Sequence, residues 1–599
     1  MRMSQHMQTL NQRPRVLRWY HAGAMLFGDW GTSRLYVLGL AFYFSGQSSI
    51  LLMTAMSVLL LALAWVYEII SSQFLDSGGA YSAAAEISRP LAVVGGLLLF
   101  ADYVMTAALS AVAAFHYLGA RDPSAWAAVS IAAIGVLNLF GPVRAGAFAA
   151  VTSLFVVSLS AIIGVSALPY LGQAAIRSPT GGPAHWWFGF TGIILAISGV
   201  ESIANMTGIM VTPVERTIRR SIWPVAVEIV LFNVLLMFAV QAIPLSVLGE
   251  GDPGRAFATH RDDMLSAVSR YYLGQAFASV ASVGFAVLLL SAVNTAVSNL
   301  VSIQFRMAHD AELPTAFQKL NRWGMPPLPL FLAVIVPVGI VLIAEDTVTL
   351  SQLYSLSVCL VIVLHLLACG ANRSLDLKPA QRIAFAAIGI LLAAMAVSVS
   401  YQNPRALLFV TMILAAGFGA RWFARHREQV GEWLVSDRDF PLRVPRQTEA
   451  PPSGPLPVSP DPRPARRVLV ATEGDTGLLR FAAEQAYANA AELIVVFVRH
   501  IAVDVPPLGA KDAGLDHEAL RVQSNVEQIA AAMNVPCRVI YATATDIGQT
   551  VLDIAIEQQA DTLILGSSHR SRLWKVLKGD VIQTVADQLP KSIRLIVQA

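Results

Sequence analysis

What most constrains this chain is a series of about twelve apolar segments between residues 18 and 421, each long enough to cross a bilayer. They fall at approximately 18–45, 49–70, 92–118, 123–141, 146–172, 187–212, 221–243, 272–305, 327–343, 350–371, 383–400 and 404–421. A crossing helix needs about 20 apolar residues, whereas a barrel strand needs only about 10. Inside lipid, backbone polar groups must also be satisfied within the segment, which a helix does unaided. These runs therefore predict a polytopic α-helical membrane protein. Composition agrees, with 14% charged residues where soluble domains have roughly 25%, and mean hydropathy is +0.59. A net charge of +3 gives no reason to expect a nucleic-acid partner. Cys359, Cys369 and Cys537 show neither zinc nor disulfide spacing and read as reduced. The polar, basic N-terminus has no apolar core and does not read as a signal peptide.

Charge sets the expected orientation. With residues 1–17 in the cytoplasm, the inside loops hold Arg89, Arg144, Arg216, Arg219, Arg220, Arg306, Lys319, Arg322, Arg373, Lys378, Arg382, Arg421 and Arg425. The outside loops hold only Arg121, Arg177, Arg255, Arg261, Arg270 and Arg405, a bias that puts both termini inside. The membrane domain is assigned to 18–422 and a charged, proline-rich linker to 423–466, semi-rigid by composition. From 467 to 599, short apolar strands such as "RVLVATEG" and "ELIVVFVRH" alternate with amphipathic helices. That alternation predicts a separate α/β domain on a parallel sheet.

Three acids inside the apolar segments carry the functional argument, because intramembrane acids are costly and functional by default. In "MLFGDWGTSRLY", Asp29 stands among Gly28, Gly31, Thr32 and Ser33, with Tyr36 seven residues on. In "FADYVMTAALSAV", Asp102, Thr106 and Ser110 recur at i, i+4 and i+8 and share one helix face. In "ISGVESIAN", Ser198 and Glu201 flank Gly199. Helix breaks are expected near 28–33 and 198–204, since unwound backbone at membrane depth is tolerated where it lines a cavity. Glycine-interrupted segments at matching positions of two halves predict inverted repeats of spans 1–5 and 6–10, with spans 11 and 12 outside. Carboxylates beside hydroxyls suit a dehydrated monovalent cation. The structural alternatives are that Asp29 pairs with Arg34, and that Tyr36, Thr106 and Ser110 serve packing. Asn294 and Thr295 can line a pathway or pack, and His365 reads as a core residue.

These residues resemble two families. The first span is similar to the "GDIGTSPLY" signature of KUP-type potassium transporters, with Arg34 where that signature has proline. The stretches 75–87, 100–112, 198–205 and 289–314 resemble KimA-type potassium–proton symporters of the amino acid–polyamine–organocation superfamily. The resemblance implies a LeuT-type fold of 5+5 inverted repeats with helices 1 and 6 broken, in a bacterial cell membrane. It also implies an ion site of Asp29, Tyr36, Asp102, Thr106, Ser110, Ser198 and Glu201, with potassium at Asp29, Asp102, Thr106 and Ser110. Glu201, then Asp29, are the proton-carrier candidates.

The tail resembles the universal stress protein family. Members that hold ATP carry G-x2-G-x9-G-(S/T), whose amides cradle phosphates. Here Gly566 and Gly579 match, His569 replaces the middle glycine, Asp580 replaces the hydroxyl residue, and Glu473 takes the place of an aspartate that meets adenine or ribose. The resemblance leaves ATP, AMP or cyclic di-AMP open as ligands, alongside a pocket-free dimerisation role that would make the protein a homodimer through its cytoplasmic domains. Three functions stay open: a proton-coupled potassium importer, a proton-coupled amino acid permease, and a membrane-anchored sensor that transports nothing. The sequence offers no nucleophile–base pair, metal cluster or intact phosphate loop for an enzyme.

Overall fold

The computed structural model describes residues 7–9, 15, 17–74, 79–140, 145–177, 182–321, 323–344, 346–434, 466–472, 474–501, 517–544, 546–566, 581–590 and 592–598. The chain divides into two compact units. One runs from Arg15 to Ala420; the other joins Met1–Pro14 to the segments after Arg421.

The first unit is helical. Its first span is α1 (Trp19–Trp30) and α2 (Arg34–Ser45), and Gly46, at φ +52°, ends it before α3 (Ser49–Gln73). The third span is α4 (Ala80–Ala85) followed by α5 (Arg89–Tyr117), then come α6 (Pro123–Asn138) and α7 (Ala145–Ala167). The sixth is split into α8 (Pro183–Gly192) and α9 (Ser202–Asn205), and α10 (Val214–Gln241) is the seventh. Two short helices, α11 (Leu245–Leu248) and α12 (Ala256–Thr259), and α13 (Met264–Leu273) lead to α14 (Gln275–His309). Then follow α15 (Pro327–Ile343), α16 (Thr347–Ala371), α17 (Pro379–Gln402) and α18 (Pro404–Leu434). Among the described residues, eight helical segments are long and apolar enough to cross a membrane, the bent sixth makes a ninth, and α6 and α15 are shorter apolar helices. As Trp19–Gln73 counts there as one segment and divides at Gly46, the twelve apolar runs of the sequence each have a helix. The last helix runs on to Leu434, past the expected end at 421.

Packing repeats with a step of five spans. Helix 1 meets the broken helix 6, α3 meets α10, α5 meets α14 and α6 meets α15, the pairing that two related five-helix halves produce. Helix α5 is central: every residue from Ala101 to Ala114 is buried. At the periphery, α17 turns Ile383, Ile390 and Val397 outward, each at least 68% exposed. Their seven-residue recurrence marks one helix face, and in lipid that apolar surface carries no hydration cost.

The two expected breaks differ. Helix 6 is unwound: Ser198 is extended (φ −63°, ψ 136°), Gly199 has φ +96°, and its two parts are bent by 43°. Helix 1 instead tightens through one 3-10 turn, Gly31–Ser33, and its backbone stays right-handed throughout. Thr32 Oγ1 and Ser33 Oγ donate to the carbonyls of Asp29 (2.6 Å) and Trp30 (2.7 Å), so the hydroxyls take carbonyls the tighter turn leaves off the regular ladder.

The second unit is a three-layer α/β fold. Six parallel strands run in the order β1-β4-β3-β2-β5-β6: β1 (Met7–Thr9), β2 (Arg467–Ala471), β3 (Glu492–His500), β4 (Cys537–Ala544), β5 (Thr562–Gly566) and β6 (Arg594–Gln598). Alternate strand residues feed two cores. Val468, Val470, Val495 and Val539 pack under α19 (Thr476–Ala488) and α20 (His517–Met533). Leu469, Ile494, Val496 and Leu563 pack against α21 (Ile547–Glu557) and α22 (Val581–Gln588). Strand β1 was not expected. Met7 pairs with Val539 and Thr9 with Tyr541, so the residues before the first span complete a sheet whose other strands follow the last.

Candidate functional site

Three carboxyl groups converge in the helical unit. Asp29 from α1, Asp102 from α5 and Glu201 from the unwound turn are 8%, 1% and 4% exposed. Each lies within electrostatic reach of the others. The chain places them there by three devices. The 3-10 turn after Asp29 holds its main chain through Thr32. The uninterrupted α5 stacks Asp102, Thr106 and Ser110 on one buried face. At Gly199 the chain of helix 6 runs so close to helix 1 that a Cβ there would lie 2.6 Å from Trp30 N, and Trp30 Nε1 donates to Ala196 O (3.3 Å). The positive φ and this contact both demand glycine.

Hydroxyls link the acids. Ser202 Oγ donates to Asp29 Oδ2. Thr106 Oγ1 donates to its own helix at Asp102 O (2.9 Å) and meets the Tyr354 hydroxyl of α16 at 2.7 Å. Ser198 Oγ also bonds the Tyr354 hydroxyl, and Tyr36 shares hydrogen bonds with Tyr354 and Ser198. The Asp102 and Glu201 carboxyls lie within hydrogen-bond reach of each other, while Asp102 Oδ1, Ser110 Oγ and Glu201 Oε2 are buried with no hydroxyl or N–H donor among the described residues. Other buried polar atoms, such as Ser160 Oγ and Asn233 Oδ1, also lack a partner among the described residues, but these three are the ones that belong to the acid set.

All seven residues expected at an ion site, Asp29, Tyr36, Asp102, Thr106, Ser110, Ser198 and Glu201, are thus buried, and hydrogen bonds or charge proximity tie all but Ser110 directly to one another. Sequence reasoning missed Tyr354, Ser202, Tyr103 and Tyr67. Tyr354 joins Thr106 to Ser198, and Tyr103 accepts from Asn205 Nδ2 (2.9 Å). The polar recurrence Ser351, Tyr354, Ser355 on one face of the tenth span was the available signal. Arg34 does not neutralise Asp29. Its guanidinium is fully buried against Glu228 of α10, between the rings of Phe27 (5.4 Å) and Phe232 (5.6 Å). Asn294 accepts from Asn138 at 2.8 Å and packs the fourth span on the eighth. Among the described residues no three His, Cys, Asp or Glu side chains form a compact metal cluster, so a cation held here would draw on hydroxyls as well as carboxylates.

In the sheet domain, β2 lies between β3 and β5, the switch point beside which ligands sit in doubly wound sheets. Gly566 ends β5 opposite Gln598. Glu473, His569 and Gly579 lie outside the described residues. Asp475 caps α19 through Gly477 N (2.7 Å) and Leu478 N (3.2 Å).

Residues 17–419 match the family model described as amino acid permease. The chain belongs to that family. Residues 464–596 of this permease match the universal stress protein family. No curated protein matches it significantly. Solved structures similar to it are universal stress proteins. One in complex with cAMP shares 19% identity over 22% of this chain and 96% of that one, at TM-score 0.18. One from Archaeoglobus fulgidus shares 22% over 22% and 98%, also at 0.18. One from Burkholderia pseudomallei shares 20% over 22% and 94%, at 0.17. The permease is therefore a multi-span membrane transporter with an appended α/β domain.

Proposed function

We propose that this permease imports potassium together with protons, using Asp29, Asp102 and Glu201 as the charged part of the site. The observation that carries the reading is the convergence of three buried carboxyls, with no hydroxyl or N–H donor to Asp102 Oδ1, Ser110 Oγ and Glu201 Oε2 among the described residues. Two unit charges 4 Å apart repel by about 4 kcal/mol even at an effective dielectric of 20. Three such acids accordingly need protons or a cation, and exchanging one for the other couples their movements. Asp29, Asp102, Thr106 and Ser110 supply the potassium ligands, Tyr36 and Tyr354 close the site, and Glu201 carries the proton, with Asp29 as its alternate. The resemblance of the first span to KUP-type potassium transporters, and of the third and sixth spans to potassium–proton symporters, supports the same cargo. An amino acid substrate fits less well, because its carboxylate would face Asp29 rather than a neutral helix break.

The α/β domain is, in this reading, a regulatory or dimerising module in the cytoplasm of a bacterial cell, binding AMP, ATP or cyclic di-AMP or no nucleotide. The deciding experiment is rescue of a potassium-uptake-deficient bacterium by the intact chain, Asp29→Asn, Asp102→Asn and Glu201→Gln. Growth at low potassium with the intact chain alone supports the reading. Failure of the intact chain despite good expression, with proton-coupled amino acid uptake in liposomes, replaces it by the permease alternative.

A further inference from the structure

The start of α10 carries Arg216, Arg219 and Arg220 within two turns, and its N-cap, Pro213, makes no side-chain cap. Three arginines at the positive end of a helix oppose the helix dipole, and Glu215 in the same turn offsets only one of them, so their local electrostatics call for an anion. Arg219 has one nearby, Glu68 of α3, at 3.6 Å, and Trp223 Nε1 donates to the same carboxylate at 2.7 Å. Arg216 and Arg220 make no ion pair among the described residues. The three arginines, with Trp19, Trp223 and Pro224, line a groove of about 740 Å³ between the first span and α10. Ser221 Oγ donates to Trp19 O (2.9 Å) and fixes that seam.

The outward face of α10 settles the class of anion. Arg216, Arg220, Pro224, Val227 and Leu231 recur at intervals of three and four and are all exposed, so they form one stripe. The stripe begins with guanidinium groups and ends with apolar side chains, Val227 and Leu231 being 54% and 57% exposed. Trp19, 44% exposed, stands beside the basic end, where a tryptophan marks the membrane interface. A soluble anion would use the first half of this surface and leave the second bare.

We propose that this groove is a binding site for an anionic phospholipid, with Arg216 and Arg220 holding the headgroup phosphate. Trp19 and Trp223 flank the glycerol region, and an acyl chain lies along Val227 and Leu231. Guanidinium groups match phosphate oxygens in bidentate fashion, and basic pockets between membrane helices are known to take such headgroups. The occupied site would brace the first span against α10.

The test uses the full chain purified in neutral detergent, with thermal unfolding followed as phosphatidylglycerol, phosphatidylcholine or inorganic phosphate is added. Phosphatidylglycerol is expected to raise the midpoint by several degrees, and the other two are not. Arg216→Gln/Arg220→Gln should weaken the lipid's apparent affinity roughly 30-fold, and Arg216→Lys/Arg220→Lys should keep most of it. Val227→Glu, at the apolar end, should weaken the lipid without changing any response to phosphate. An equal response to phosphatidylcholine, or to inorganic phosphate, overturns the proposal. So does an undiminished phosphatidylglycerol response in the Gln pair. Should the Gln pair fail to fold, the wild-type comparison with Val227→Glu decides.

Discussion

Gly199 and Gly28 both read in the sequence as helix interruptions in front of a carboxylate, and replacing each by alanine should have opposite outcomes. At Gly199 the backbone sits at φ +96°, and a side chain there costs roughly 1–2 kcal/mol from sterics with its own backbone. The added methyl would also lie 2.6 Å from Trp30 N, 2.7 Å from Trp30 Cα and 2.8 Å from Asp29 C. These are main-chain atoms that cannot rotate away, and overpacking of this kind costs about 1–3 kcal/mol more. Gly199→Ala is thus expected to lose about 2–5 kcal/mol, relieved only by pushing helix 1 away and opening the Ser202–Asp29 hydrogen bond. A Cβ on Gly28 meets nothing within 4 Å, and alanine favours the helix by up to about 1 kcal/mol. Gly28→Ala should match or exceed the wild type in stability. Thermal unfolding in detergent and, on the proposed function, potassium uptake into liposomes should both separate the two variants, with uptake falling at least tenfold only in Gly199→Ala. If the two behave alike, the close approach of helix 6 to helix 1 is not what shapes the site.

Other substitutions probe other links. Arg34→Met or Glu228→Gln alone strands a buried charge and should destabilise by about 3 kcal/mol or more, whereas Arg34→Met/Glu228→Met should recover most of it; thermal unfolding of the three measures the coupling. Tyr354→Phe removes the hydroxyl that meets Thr106 and Ser198 and, on the proposed function, should raise the KM for potassium roughly tenfold, at a cost of about 1–3 kcal/mol in thermal stability from two lost hydrogen bonds. Deleting residues 1–14 removes β1, and amide hydrogen exchange should then quicken within Val539–Tyr541 while Leu493–Val496 in the middle of the sheet stay protected.

Much of this was legible before any coordinate. Apolar run length located the helices because lipid leaves a chain few alternatives, and the recurrence of Asp102, Thr106 and Ser110 placed them on one face because α5 is uninterrupted. Gly199 and Gly31 looked alike in sequence, and only the packing of helix 6 on Trp30 shows why the first needs a left-handed backbone and the second stays right-handed. The destination of Arg34 was hidden because its partner, Glu228, lies 194 positions away on a helix no local pattern connects to it. Tyr354 had a weak local signal in its recurrence with Ser351 and Ser355, but its role shows only from Thr106 and Ser198 on the helices that face it. Strand β1 escaped because three residues carry no periodicity.

That strand also has a bearing on how the protein is made. Met7 is translated before every membrane helix, yet its partner Val539 follows only after all of them have been synthesised. At 5–20 residues per second the interval is roughly half a minute to two minutes. Throughout it the leading peptide waits, and the outer edge of β4 does not yet exist. Closing the sheet is therefore an event of completion. A chain truncated anywhere in its membrane domain never forms the pairing.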